Sequence, residues 1–154
     1  MKIMIDGQMR DVEFDWENWE PSRYTVNIEL GGNPGDDALE SVTTRERPFI
    51  IEQIQHVVVG DNGDDDEAYS LDWSIQNDKR YWKGSTAPMA TTYGSTHHGR
   101  WQKESVPVGI EAKTTLFSRL VNYYQAAGEP RNIQVLFVGM ERKKALPEGQ
   151  QAFQ

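Results

Sequence analysis

Apolar side chains in this chain recur at every second residue, and that period constrains the fold more than any other feature. Tyr24, Val26, Ile28 and Leu30 alternate with Thr25, Asn27 and Glu29. Tyr69, Leu71, Trp73 and Ile75 alternate with Ser70, Asp72 and Ser74, the cleanest half-buried pattern in the chain. A period of two places one set of side chains on each face of a strand, whereas a helix needs a period near 3.6. Val106, Val108 and Ile110 repeat the pattern around Pro107, which lacks an N–H and so predicts an edge or the start of a strand. Ile133, Val135 and Phe137 alternate with Gln134 and Leu136, which predicts a central strand apolar on both faces. Residues 49–59 form another β-rich run, and Asp6-Gly7 between Ile3-Met4-Ile5 and Gln8-Met9-Arg10 suits a two-residue hairpin. Residues 114–124 are ambiguous. Leu116, Leu120, Tyr123 and Tyr124 have helical spacing, whereas Thr115, Phe117, Val121 and Tyr123 fit a strand with Arg119 out of pattern, and β-branched and aromatic richness favours the strand. Turn-rich pieces at residues 31–37, 60–67, 84–99 and 126–131 separate these runs. Seven or so strands so connected predict an all-β domain, a β-sandwich or jelly-roll. It spans residues 21–140, with an N-terminal arm or hairpin over residues 1–20 and a C-terminal tail over 141–154.

Composition narrows the class. At 154 residues the chain is long enough to bury a core without a metal or a disulfide, and it has no cysteine. Disulfides, thiolate nucleophiles and Cys-type zinc sites are thereby removed. No run of 18 apolar residues is present and Asp6 interrupts the first apolar run, so neither a membrane span nor a signal peptide is expected. Synthesis in a cytoplasm follows as an expectation. The formal net charge of -8 argues against nucleic acid as a specific partner. That charge is uneven. Residues 1–72 carry 18 acidic and 5 basic side chains, net -13, while residues 73–154 carry 6 and 11, net +5. Such halves complement each other either within one sheet or between copies.

No motif names a reaction. Asp61-Asn62-Gly63-Asp64-Asp65-Asp66-Glu67 has the oxygen density of a calcium loop but not the order of an EF-hand, and a solvated hairpin tip explains it as well. The 31–39 loop is one glycine-aspartate copy, too few to stack into a calcium-binding repeat. His97 and His98 have no carboxylates at ligand spacing, and neighbouring residues of an extended chain point opposite ways. The nearby Gly94-Ser95-Thr96 lacks the Gly-x-Ser-x-Gly elbow of a serine nucleophile. Lys79-Arg80-Tyr81-Trp82-Lys83 interleaves cations with aromatics, a mixture that stacks on bases or sugars or simply closes a core with wet cations. Asp15-Trp16-Glu17-Asn18-Trp19-Glu20 holds carboxylates, but hydrolysis of glycosides needs them at a fixed separation across a cleft. Trp16 and Trp19 are better read as anchors, packed on their own domain or on a neighbour.

Several short pieces of residues 47–142 carry a likeness to a known family. Arg47-Pro48-Phe49-Ile50-Ile51, running into Gln55-His56-Val57-Val58-Val59-Gly60, carries the likeness. So do Tyr69-Ser70-Leu71-Asp72-Trp73-Ser74-Ile75 with Arg80-Tyr81-Trp82, and Pro107-Val108-Gly109-Ile110-Glu111-Ala112-Lys113-Thr114. Leu120-Val121-Asn122 and Val135-Leu136-Phe137-Val138-Gly139-Met140 complete it, in the manner of a late strand ending in Asn before a closing apolar-apolar-Gly strand. Together these pieces resemble small β-rich virion structural proteins of tailed bacteriophages, and the resemblance implies a non-enzymatic virion protein without cofactors. It would decorate or stabilise the capsid, or form a head, vertex or collar accessory. Its implied partners are the major capsid protein, other virion subunits and further copies of itself, with no membrane involved. Trp16, Trp19, Tyr81, Trp82, Arg142, Lys143 and Lys144 are the expected contact residues. The alternative is a carbohydrate-binding β-sandwich of a phage fibre or adhesion protein, with Tyr81, Trp82, Tyr93 or Trp101 as stacking platforms.

Overall fold

The computed structural model describes residues 1–5, 8–59, 69–75, 83–84, 102–122 and 128–153. Ten strands appear among them: β1 (Lys2–Ile5), β2 (Gln8–Asp11), β3 (Trp19–Leu30), β4 (Asp37–Thr43), β5 (Phe49–Val58), β6 (Tyr69–Ile75), β7 (Lys83–Gly84), β8 (Gln102–Ile110), β9 (Thr115–Asn122) and β10 (Arg131–Arg142). A single 3-10 turn, Trp16–Asn18, is the one helical piece among the described residues. The strands form two sheets. One has the order β2-β1-β8-β5-β10-β3, the other β4-β9-β6-β7, and every pairing is antiparallel except β1 with β8. The all-β, two-sheet sandwich expected from alternation is therefore present.

The core lies between the sheets and is built from the inward phase of each strand. Tyr24, Val26, Ile28 and Leu30 of β3 face inward with Ile133, Val135 and Phe137 of β10, and Leu71 and Trp73 of β6 with Leu116 and Leu120 of β9. Trp73 packs edge-on against Phe137 at 5.7 Å, and its partner across the β6–β9 ladder is the small Ser118, which leaves room for the indole. Residues 115–122 of the ambiguous segment form a strand, whose buried phase is not the one expected through Thr115, Phe117 and Val121. Its inward positions Leu116, Ser118, Leu120 and Asn122 keep a period of two.

Three expectations change. Pro107 does not mark an edge, because β8 lies between β1 and β5. The β5–β8 register jumps there from Ile51↔Val108 to Gln53↔Lys103, and such an irregularity tolerates a residue with no ladder N–H. β10 is indeed flanked on both sides, but only its inward face is fully buried; Gln134, Leu136 and Val138 are half-buried. β6 is buried more deeply than a half-buried strand, since Ser70 and Ser74 on its other face are also buried. The hairpin expected around residues 6–7 pairs Ile5 with Gln8, as a two-residue connection requires.

A second, smaller cluster covers the outer face of the six-stranded sheet at one end. Ile3, Ile5, Trp19, Ile50 and Phe153 are buried there, with Val12, Phe14, Met140 and Ala152 against them. Both ends of the chain thus pack on the sandwich they flank.

Candidate functional site

Five of the seven expected contact residues come together where β3 begins and β10 ends. Trp19 and Arg142 are ladder partners, and the Lys143 N–H donates to the Asn18 carbonyl at 2.7 Å. The Asn18 amide donates to the Asp15 carboxylate, and the Asn18 N–H to the Asp15 carbonyl at 2.8 Å, which closes the 3-10 turn. That amide first, and the Arg142 cation further off, hold the Asp15 carboxyl below its ordinary range. Tyr81 and Trp82 lie outside the described residues, as do Tyr93, Trp101, His97, His98 and the acidic 61–67 segment.

The two tryptophans of this region have opposite fates. Trp19 is 6% exposed and sits in the outer cluster beside Phe153, so it is a core residue of its own chain and not an anchor for a neighbour. Register explains this, since the first residue of β3 shares the outer face with Met140 and Ile50. Trp16, by contrast, is 45% exposed. Its indole stacks on Phe14 at 5.1 Å, and Phe14 in turn meets Trp19 and Phe153 edge-on. An exposed indole is thereby braced from below by aromatics fixed in the fold. Lys143 and Lys144 are exposed on the adjoining chain, while Arg142 is half-buried.

Beneath this surface is an ionic cluster that alternation alone did not reveal. Glu141 occupies the inward phase of β10 and is 1% exposed. Arg47 lies 2.6 Å from its carboxylate and Arg45 3.3 Å, and the Tyr24 hydroxyl donates to it. The Arg45 backbone N–H donates to the Tyr24 oxygen at 3.0 Å, and the Arg45 guanidinium lies 4.7 Å above the Tyr24 ring. Burial, then the Glu141 bond, push the Tyr24 phenol above its ordinary value. Arg47 also reaches Glu20 at 3.2 Å and the Lys143 carbonyl at 3.3 Å. The connection from β4 to β5 is thus tied to the end of β10. A signal was available in the sequence: Arg131 and Glu141 both fall on the inward phase of an otherwise apolar strand.

A second polar group lies in the core at the opposite end of β10. His56 of β5 is buried and shares a hydrogen bond through Nδ1 with the hydroxyl of Tyr69 in the facing sheet. The Arg131 guanidinium lies 5.6 Å over the Tyr69 ring and donates to Asn122 at 3.1 Å. Burial holds the His56 imidazole down at about 3 from its usual 6.5. In the unfolded chain His56 takes up its proton near 6.5, so between these values the unfolded state binds more protons. Its contribution to stability is whole above about pH 6.5 and falls by roughly 1.4 kcal/mol per unit as pH drops towards 3. Urea titrations across this range should show His56→Gln with a shallower acid loss than wild type. Parallel slopes would mean that His56 does not titrate in this way.

The glycine-rich 31–39 loop is a structural turn. Gly35 takes φ +84°, the Asp36 carboxylate accepts the Asn33 N–H at 2.9 Å, and the Asn122 side chain donates to the Gly31 carbonyl at 2.9 Å. Those groups serve the backbone. Compared with protein-family models, with curated proteins and with solved structures, the chain finds no match.

Proposed function

We propose that the chain is a non-enzymatic structural subunit of a bacteriophage particle, bound to the capsid or a head accessory through the face around Trp16. The observation that carries this reading is the exposed Trp16 indole, stacked on Phe14 and held in a turn whose Asn18 carbonyl accepts the Lys143 N–H. Tryptophan, tyrosine and arginine dominate the energetic centres of protein contacts, and a braced indole loses little freedom on binding. The two-sheet fold and the sequence resemblance over residues 47–142 support the same class. Partners are the major capsid protein or another virion subunit, and the expected location is the assembled virion.

Trp16→Ala tests the reading without disturbing the core, whereas Trp19→Ala would open a cavity and confuse the result. Co-sedimentation with assembled particles should fall by about tenfold or more, in line with the loss of a contact worth roughly 2 kcal/mol. The urea midpoint should stay within about 0.5 kcal/mol of wild type. Undiminished co-sedimentation would rule out this face. Mass spectrometry of purified particles then gives the copy number, hundreds for a decoration protein or about a dozen for a vertex or collar ring.

A further inference from the structure

The last residues of the chain turn back onto the sandwich and are gripped at their tip. Beyond β10, residues 143–151 are exposed apart from the half-buried Leu146. They arch over an open cleft of about 540 Å³ whose far wall includes Glu46, Pro48, Glu111 and Lys113. The tip itself is held in two ways. The backbone N–H groups of Ala152 and Phe153 donate to the two carboxylate oxygens of Glu111, each at 2.9 Å. The Phe153 ring, 4% exposed, fills a slot formed with Ile3, Ile5, Trp19 and Ile50. The floor of the slot is Gly109, where a Cβ would lie 3.1 Å from the ring. The tail is thus tied at Lys143 and at its tip, where Ala152 packs beside the ring, and the stretch between is largely exposed.

We propose that this clip is exchanged between copies, with Ala152 and Phe153 of one chain seated on Glu111 and in the Gly109 slot of another. The proposal rests on the structural-subunit reading and names its self-contact. The receptor is a paired carboxylate acceptor beside an aromatic slot, and the occupant that matches it is this chain's own tip. Contacts at the tip are the same within a chain and between chains, so exchange changes only the path of the linker. With Lys143 still tied to Asn18 and Arg47, residues 144–151 extended reach about 27 Å, nearly twice the radius of gyration near 15 Å expected for a domain of this length. That is enough to cross to a packed neighbour.

Two full-length variants separate the halves of the clip. Phe153→Ala keeps the receptor and lacks the plug; Glu111→Ala keeps the plug and blunts the receptor. In native mass spectrometry over a concentration series, wild type should self-associate and each variant alone should stay monomeric. Their equimolar mixture should give a heterodimer at the summed mass, joined by one tip. A mixture that stays monomeric, or Phe153→Ala associating as wild type does, overturns the exchange. Should Glu111→Ala fail to fold, Gly109→Val serves as the blunted receptor, since its side chain enters the Phe153 slot. Particle binding by wild type and Trp16→Ala is read separately, so failure of the exchange is distinguished from failure of the particle reading.

Discussion

Gly139→Ala should destabilise the protein by roughly 3 kcal/mol or more, at the upper end of what overpacking costs. A Cβ at this position would lie 1.7 Å from the Ile50 carbonyl oxygen and 2.9 Å from its carbon. The clash is with backbone, so no side chain can rotate away. The location makes it worse. The β10–β5 register shifts between Val138 and Gly139, where Glu52 is the extra residue of the bulge, and the close approach of the two chains there is what lets the ladder resume at Ile51. Relief would require parting the two strands that carry Phe137 and Phe49 into the core. Urea unfolding measures the loss. Gly128→Ala is the matched control, since among the described residues an added methyl there meets only the Gly32 oxygen at 4.0 Å. Equal midpoints for the two variants would contradict the account.

Glu141→Gln should cost about 2–3 kcal/mol, less than the 3–5 kcal/mol typical of breaking a fully buried pair. The difference lies in the partners. Arg45 is 53% exposed and Arg47 27% exposed, so both cations recover hydration that a deeply buried guanidinium would not. What is lost is the charged acceptor for Arg47 and for the Tyr24 hydroxyl, each bond contributing about 1.5–3 kcal/mol before resolvation. A double-mutant cycle with Arg47→Met should return a coupling of about 1 kcal/mol or more. Additive effects would show that the cluster does not act as a unit. The cost should also appear as looser attachment of the β4–β5 connection, since Arg45 and Arg47 both lie on it.

What could be read from the residues follows from how each is paired. Alternation is local, and it placed β3, β6 and the inward face of β10 correctly. It was ambiguous at residues 114–124 because four helically spaced apolar residues coincided with a strand pattern, and ladder pairing with β4 and β6 decides between them. Pro107 misled because its rule concerns ladder N–H groups, and a register break removes the need for one. Trp19 misled for a different reason. Its burial depends on Phe153, 134 residues later in the chain, and nothing near either residue announces the contact. The charge halves are equally instructive. Each sheet contains strands from both halves, and Asp72–Arg119 at 2.7 Å and Glu46–Lys113 at 3.2 Å pair acid from the first with base from the second. The buried cluster runs the other way, with Arg45 and Arg47 from the acidic half meeting Glu141 from the basic one.

The place of β10 in the large sheet has a consequence for how the chain is made. It lies between β3 and β5, yet of the ten strands it is the last to leave the ribosome. Until residues 131–142 emerge, β3 has no ladder partner in its sheet and β5 has only β8. A nascent chain that has not reached residue 131 therefore exposes open strand edges, a state prone to improper pairing and slow to resolve by non-local closure. Completion is abrupt. One strand zips both neighbours, brings Glu141 to Arg45 and Arg47, and delivers the tail to Glu111. A chain interrupted before residue 131 lacks the strand that joins β3 to β5 in the large sheet.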